Sequence, residues 1–175
     1  LCLSLPLAEQ PDFELPEIIE SDRPLFEAEE IGHPLLEPGA SVRNPIRLGN
    51  GTHVLIITGS NMSGKSTYLK SIGLNAVLAG AGGPVCARSL RWTPLALFTD
   101  INVRDSLEDG KSYFQVEVER VREAIEAAAR SPFSLSIFDE LFRGTNSEER
   151  SAIARAILRH LRSSGAVAVV ATHDL

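Results

Sequence analysis

The chain has 175 residues, 43% hydrophobic and 23% charged, enough for one domain with a proper core. Its net charge of −6 and pI near 5.2 speak against this segment carrying the main nucleic-acid footprint, which would be a basic face; contacts elsewhere in a parent protein stay open. No apolar run approaches the ~20 residues of a membrane span, and no signal peptide is recognisable, so a cytoplasmic location without membrane contact is expected.

Cys2 and Cys86 match no metal or redox spacing and read as buried or half-buried thiols in a reducing compartment. The chain opens at Leu1 and stops at Leu175, just after an apolar run and a polar tetrad, so it reads as a fragment of a longer protein. Residues 1–24 are acidic and punctuated by Pro6, Pro11, Pro16 and Pro24, and Leu1 to Glu9 reads as the tail of a helix. Leu25 to Ile31 reads as a short strand and Gly32-His33-Pro34 as a turn. Residues 37–52 are turn chemistry around a short Ile46-Arg47-Leu48 strand.

From Val54 the pattern alternates between strand and helix. His53 to Thr58 is an unbroken apolar run, as for a parallel strand buried on both faces. A helix is predicted from Lys65 to Ala79, ended by Gly80, Gly82, Gly83 and Pro84. Leu95 to Thr99 reads as a strand. Ser112 to Arg130 reads as a helix with Val118, Val121, Ile125 and Ala128 on one face and Glu119, Arg122, Glu123 and Glu126 on another. Leu135 to Phe138 is a short apolar strand. Ser147-Glu148-Glu149 reads as an N-cap with an acidic first turn, opening a helix that buries Ile153, Ile157 and Leu161. Ser163-Ser164-Gly165 closes it, and Ala166 to Ala171 is a further buried strand. This order predicts an α/β domain with a mostly parallel sheet, flanking helices and right-handed crossovers.

The chemistry concentrates in a few places. Gly59-Ser60-Asn61-Met62-Ser63-Gly64-Lys65-Ser66 fits G-x-x-x-x-G-K-[ST], the phosphate-binding P-loop, between a predicted strand and a predicted helix. Backbone N–H groups converge on phosphates there, and the helix N-terminus adds the positive end of its dipole. Lys65 is predicted to reach the β- and γ-phosphates and Ser66 to hold Mg²⁺. Asn61 either orients the water or satisfies backbone groups of the loop. Asp139, ending an apolar strand, is predicted to hold Mg²⁺ through water or through Ser66. Glu140 points elsewhere and is placed to polarise an attacking water. His173, at the carboxyl end of a parallel strand, lies on the ligand edge of an open α/β sheet, in reach of a γ-phosphate or its water. Ser112 stands at the mouth of the long helix, as an N-cap and also a candidate phosphate receptor for a second subunit's nucleotide. His33 and His53 read as structural and His160 as exposed.

Together these residues resemble one family. Gly59 to Thr67 is similar to the G-P-N-M-G-G-K-S-T loop of MutS-type ATPases, the DNA mismatch repair MutS family. His33-Pro34 with Glu37, Asn44-Pro45, Ser112 to Glu117, Asp139-Glu140 with Arg143-Gly144-Thr145, and Ala171-Thr172-His173 follow in the family's order and approximate spacing. The resemblance covers about residues 25–175 and leaves 1–24 as the tail of an upstream lever or core region. It implies a P-loop NTPase of the ABC class, truncated at its C-terminus, whose nucleotide sites are completed across a homodimer.

On that resemblance Gly59, Ser60, Asn61, Met62, Ser63, Gly64, Lys65, Ser66 and Thr67 bind the phosphates of ATP, and Ser66 and Asp139 hold Mg²⁺. Glu140 is the general base, His173 the γ-phosphate sensor, and Ser112 the signature serine acting in trans. The Gly144–Ser147 loop lies across the dimer interface. The departures are Ser60 and Ser63 in the loop, Leu141-Phe142 after the acidic pair, Asn146-Ser147, Asp174, and no aromatic near Ser41 to stack on adenine. They resemble a bacterial MutS-like branch without an established mismatch-repair role. They leave ATP hydrolysis in place and weigh against mismatch recognition and, slightly, adenine preference.

The leading expectation is therefore a dimeric ATPase that moves DNA-handling arms lying outside this segment. The alternative is an ABC-type motor or switch acting on a non-DNA or membrane-associated partner. Asp139-Glu140 weighs against a switch that binds ATP without hydrolysing it and against a small-molecule kinase. The lack of an L-S-G-G-Q-like segment before Asp139 weighs against a transporter ATPase.

Overall fold

The computed structural model describes residues 12–37, 39–60, 62–101, 113–142 and 146–173. In chain order the elements are β1 (Glu17–Ile18), β2 (Phe26–Ile31), β3 (Asn44–Leu48), β4 (Val54–Thr58), α1 (Lys65–Gly80), β5 (Ser89–Trp92), β6 (Ala96–Asp100), α2 (Tyr113–Arg130), β7 (Ser134–Asp139), α3 (Ser147–Ser163) and β8 (Val167–Thr172). The expected helix tail at Leu1 to Glu9 lies outside the described residues, as does Cys2.

The predicted α/β architecture is present. Four strands form a wholly parallel sheet in the order β4-β8-β7-β6. Its two inner strands are buried along almost their whole length, and β7 carries Ser134 and Ser136 into that interior among its apolar residues. Leu135 and Ile137 of β7, with Val167, Val169 and Ala171 of β8, enter a core shared with Leu69, Ile72 and Ala76 of α1. The alternate residues Phe138, Ala168 and Val170 enter a second core with Val121 and Ala124 of α2 and Ile157 and Leu161 of α3. A strand covered by helices on both faces has no solvent face, which favours apolar residues on both sides.

β4 departs from its expected burial. Among the described residues it pairs with β8 alone, and Ile56 is 45% exposed. An edge strand loses cover on its outer side, whatever its apolarity.

A second four-stranded sheet, in the order β1-β5-β2-β3, packs against the far side of α1. It exceeds the strands read from the sequence: β5 alternates polar Ser89 and Arg91 with buried Leu90 and Trp92 over only four residues, and β1 has two. β2 pairs antiparallel with both β3 and β5, and a bulge between Ala28 and Ile31 puts Glu30 at φ 51°. Asn75, wholly buried in α1, joins the layers. Its amide donates to Gly32 O at 2.9 Å, and its carbonyl accepts from Cys86 N at 2.6 Å.

Helix faces and caps depart by single residues. In α2 the buried stripe is Glu117, Val121, Ala124 and Ala128, and Val118 is 40% exposed. In α3 it is Ala154, Ile157, Leu158 and Leu161, and Ile153 is 38% exposed. Val121 and Ala128 of α2 and Ile157 and Leu161 of α3 are buried as predicted, whereas Val118 and Ile153 sit at the edge of the packed face. The N-cap of α3 is Asn146, not Ser147: its extended backbone lets the side chain accept from Glu149 N at 2.9 Å. Glu148 and Glu149 form the expected acidic first turn. Gly165, at φ 82°, closes the helix in the left-handed conformation that glycine adopts without strain.

Candidate functional site

The carboxyl edge of the parallel sheet collects the predicted residues. β4 ends at Thr58 and the glycine loop follows. α1 starts at Lys65, one residue after Gly64, whose φ of 91° requires glycine. Met62 also adopts a positive φ, 64°, and lies fully exposed. The loop is held by Ser63 N donating to Ser60 O at 3.3 Å, and Tyr68 N donates to Gly64 O at 2.9 Å to start the helix.

Lys65 is the electrostatic oddity of this edge. It is only 8% exposed and sits at the first position of α1, where the helix dipole is positive. Its ammonium donates to the carbonyls of Gly59 at 2.8 Å and Ser60 at 2.9 Å. A cation stacked on a positive dipole end opposes stability unless an anion answers both.

β7 and β8 supply the acidic and imidazole groups. Ser66 Oγ donates to Asp139 Oδ2 at 2.6 Å, and Asp139 is 5% exposed. The next residue turns the other way. Glu140 has φ 59°, its amide donates to Ala171 O at 2.9 Å, and its Oε1 lies 2.5 Å from His173 Nε2. Phe142 repeats the positive φ, also 59°. Two non-glycine residues in this region cost about 1–3 kcal/mol each, and such strain clusters where side chains must be aimed.

Beside the loop lies an open groove of about 710 Å³, lined by Asn44, Pro45, Leu55, Ile57, Lys65 and Tyr68 among others. Tyr68 Oη donates to Pro45 O at 2.7 Å, tying α1 to β3, and burial pushes its pKa up to about 12. Burial also raises the pKa of the Cys86 thiol, against the lowering effect of Arg43, whose guanidinium lies 3.7 Å from the sulfur.

The sheet edge thus brings Gly59, Ser60, Ser63, Gly64, Lys65, Ser66, Asp139, Glu140 and His173 together. Thr67 follows on an exposed first turn. Asn61, Ser112, the Arg143-Gly144-Thr145 segment and Asp174 lie outside the described residues. Two acidic residues near the edge were not singled out by sequence. Asp100 ends β6, is 3% exposed, and pairs with Arg120 of α2 at 3.3 Å. Glu117, wholly buried in α2, accepts from Phe142 N. The signal was available for Glu117: an acid in register with the buried stripe of an amphipathic helix.

The family model described as MutS domain V matches residues 55–175. The DNA mismatch repair protein MutS of Streptococcus uberis is 39% identical over 135 residues, 75% of this chain and 16% of that protein. The protein of the same name from Lactobacillus johnsonii is 38% identical over 148 residues, 81% of this chain and 17% of that protein. That of Streptococcus equi subsp. equi is 41% identical over 135 residues, 75% of this chain and 16% of that protein. The chain therefore spans about one sixth of the length of these curated relatives. A family match over more than half of the residues, joined to this identity across three quarters of the chain or more, places it: the chain belongs to the MutS domain V family.

Proposed function

We propose that this chain is the ATP-binding and ATP-hydrolysing domain of a MutS-like, DNA-handling protein, a P-loop NTPase domain of the ABC class working in the cytoplasm. The observation that carries the reading is the 2.6 Å contact between Ser66 and Asp139, beside a lysine buried at a helix N-terminus. Gly59 to Thr67 wrap the phosphates, with Lys65 exchanging the carbonyls of Gly59 and Ser60 for phosphate oxygens. Asn61 lies within that loop and orients the water.

The donor set fits Mg²⁺. Ser66 and Asp139 offer hard oxygens at one point, and among the described residues no group of three or more His, Cys, Asp or Glu encloses a metal. That suits a cation that keeps its waters and borrows phosphate oxygens. When bound, Mg²⁺ neutralises charge developing on the phosphates. Glu140 accepts the proton of the attacking water, and His173, in contact with Glu140, holds that carboxylate and faces the γ-phosphate.

Ser112 completes the site of a partner subunit, in a homodimer formed by the full-length protein. DNA is contacted through regions outside this chain, in keeping with its net charge of −6. No described helix is long and apolar enough to cross a membrane.

The test is steady-state ATP hydrolysis by the full-length protein and its Glu140→Gln variant, with no DNA and with matched, mismatched and branched DNA. Hydrolysis that depends on Glu140 and on DNA structure is expected. Hydrolysis indifferent to every DNA would keep the site chemistry and move the partner to a non-DNA or membrane-associated one.

A further inference from the structure

We infer that Glu117 is the positioning residue for Glu140, an inference that rests on the hydrolytic reading above. Glu117 belongs to α2, is wholly buried, and takes no part in the proposed chemistry. A buried carboxylate is costly, so its retention needs a specific partner. One such partner is the backbone N–H of Phe142, two residues beyond Glu140.

That amide sits in a constrained turn of the sheet edge. Glu140 and Phe142 both have φ 59°, and Leu141 and Phe142 are buried against Val121 and Ala124 of α2. Two backbone amides tie the turn to neighbouring elements. Glu140 N donates to Ala171 O of β8, and Phe142 N donates to Glu117 of α2. The first anchor fixes where the turn leaves β7. The second fixes how far it folds, and so where the Glu140 carboxylate meets His173. A carboxyl oxygen accepts this N–H in either protonation state, which suits an anchor that must hold a left-handed residue in place. Arg120, one turn along α2, pairs with Asp100 at the end of β6, so the same helix is pinned to two neighbouring strand ends.

The experiment uses the full-length protein with Glu117→Asp and Glu117→Gln, Glu140→Gln serving as the reference. Asp keeps the charge but is one methylene too short. Gln keeps the reach and an acceptor oxygen but removes the charge. Glu117→Asp is expected to lower kcat for ATP hydrolysis about 10-fold or more, since small misplacements of a catalytic group are that costly. KM and the affinity for Mg-ADP should stay within about twofold, because the glycine loop is untouched. Glu117→Gln is expected to stay within about threefold of wild-type kcat.

Wild-type kcat in Glu117→Asp would overturn the inference, and so would a loss in Glu117→Gln as large as that in Glu117→Asp, since reach alone would then not account for the effect. A fall in nucleotide affinity together with kcat would also overturn it, as general loss of structure. If Glu140→Gln hydrolyses ATP normally, the hydrolytic reading itself fails. If Glu140→Gln is inactive and Glu117→Asp is not, only the role of Glu117 fails.

Discussion

Ser66 and Asp139 lie 73 positions apart and meet at 2.6 Å, joining the first turn of α1 to the last residue of β7. The contact exists because β7 runs inside the parallel sheet with β8 on one side and β6 on the other. Its carboxyl end is separated from β4 by one strand, β8, and lies on the same edge as the first turn of the helix that follows the β4 loop. Ligands of open α/β sheets bind at this edge.

Replacing Asp139 with Asn should raise the Mg²⁺ concentration needed for half-maximal ATP hydrolysis by about 10-fold or more, the usual consequence of losing a partner that orients a metal ligand. The check is a Mg²⁺ titration of hydrolysis at fixed ATP. An unchanged midpoint would remove Asp139 from the cation site.

Glu140→Gln should retain nucleotide affinity and lose about 10²–10⁴-fold in turnover, the range for a general base. Equilibrium binding of a labelled ADP, set beside single-turnover hydrolysis, separates the two. His173→Ala should also spare binding and slow turnover, since Glu140 loses its 2.5 Å neighbour.

Lys65→Ala should weaken nucleotide binding about 10-fold or more, the worth of a charged hydrogen bond. The same change should leave the unliganded domain at least as stable, because it removes a buried cation from the positive end of the α1 dipole. Chemical denaturation without nucleotide, set beside nucleotide titration, reads both. A large loss of stability would contradict the electrostatic account.

Much of this arrangement could be read from the residues alone, for identifiable reasons. The P-loop motif and the acidic pair at a strand end are local signals, and Ser66 and Asp139 do meet as expected. β7 and β8 announced themselves because both faces are buried. β4 has the same kind of sequence yet is an edge, since apolarity reports what a residue prefers and not how many strands flank it. β1 is too short to show a period and β5 shows one over only four residues; β1 pairs with β5 and β5 with β2. The departures within α2 and α3 follow from packing, which buries Glu117 rather than Val118 and Ala154 rather than Ile153 while Val121, Ala128, Ile157 and Leu161 stay buried as read. The backbone turns at Glu140 and Phe142 carry no glycine to mark them.

Asn146→Ala should destabilise the domain by about 1 kcal/mol, the usual worth of an N-cap side chain. Ser147→Ala should cost less, because Asn146 accepts from Glu149 N. Denaturant midpoints of the two variants decide between the cap observed and the cap that sequence predicts.

The alkaline limb of stability offers a test of the groove wall. Tyr68 is held neutral by burial, its pKa raised from 10.0 to about 12. Below the ordinary value both folded and unfolded chains keep the phenolic proton, and Tyr68 adds no pH dependence. Between the two values the unfolded chain releases its proton while the folded chain retains it, so stability falls as pH rises through that window. The phenol is only partly enclosed, which reduces the effect below that of a fully buried group. Tyr68→Phe should lose the 2.7 Å bond to Pro45 O, costing about 0.5–1.5 kcal/mol near neutral pH, and flatten the alkaline decline. Urea denaturation of both proteins from neutral pH to the upper end of the window measures each part. Parallel declines in the two would mean that another group sets the alkaline limit, and that the bond to Pro45 matters only for tying α1 to β3.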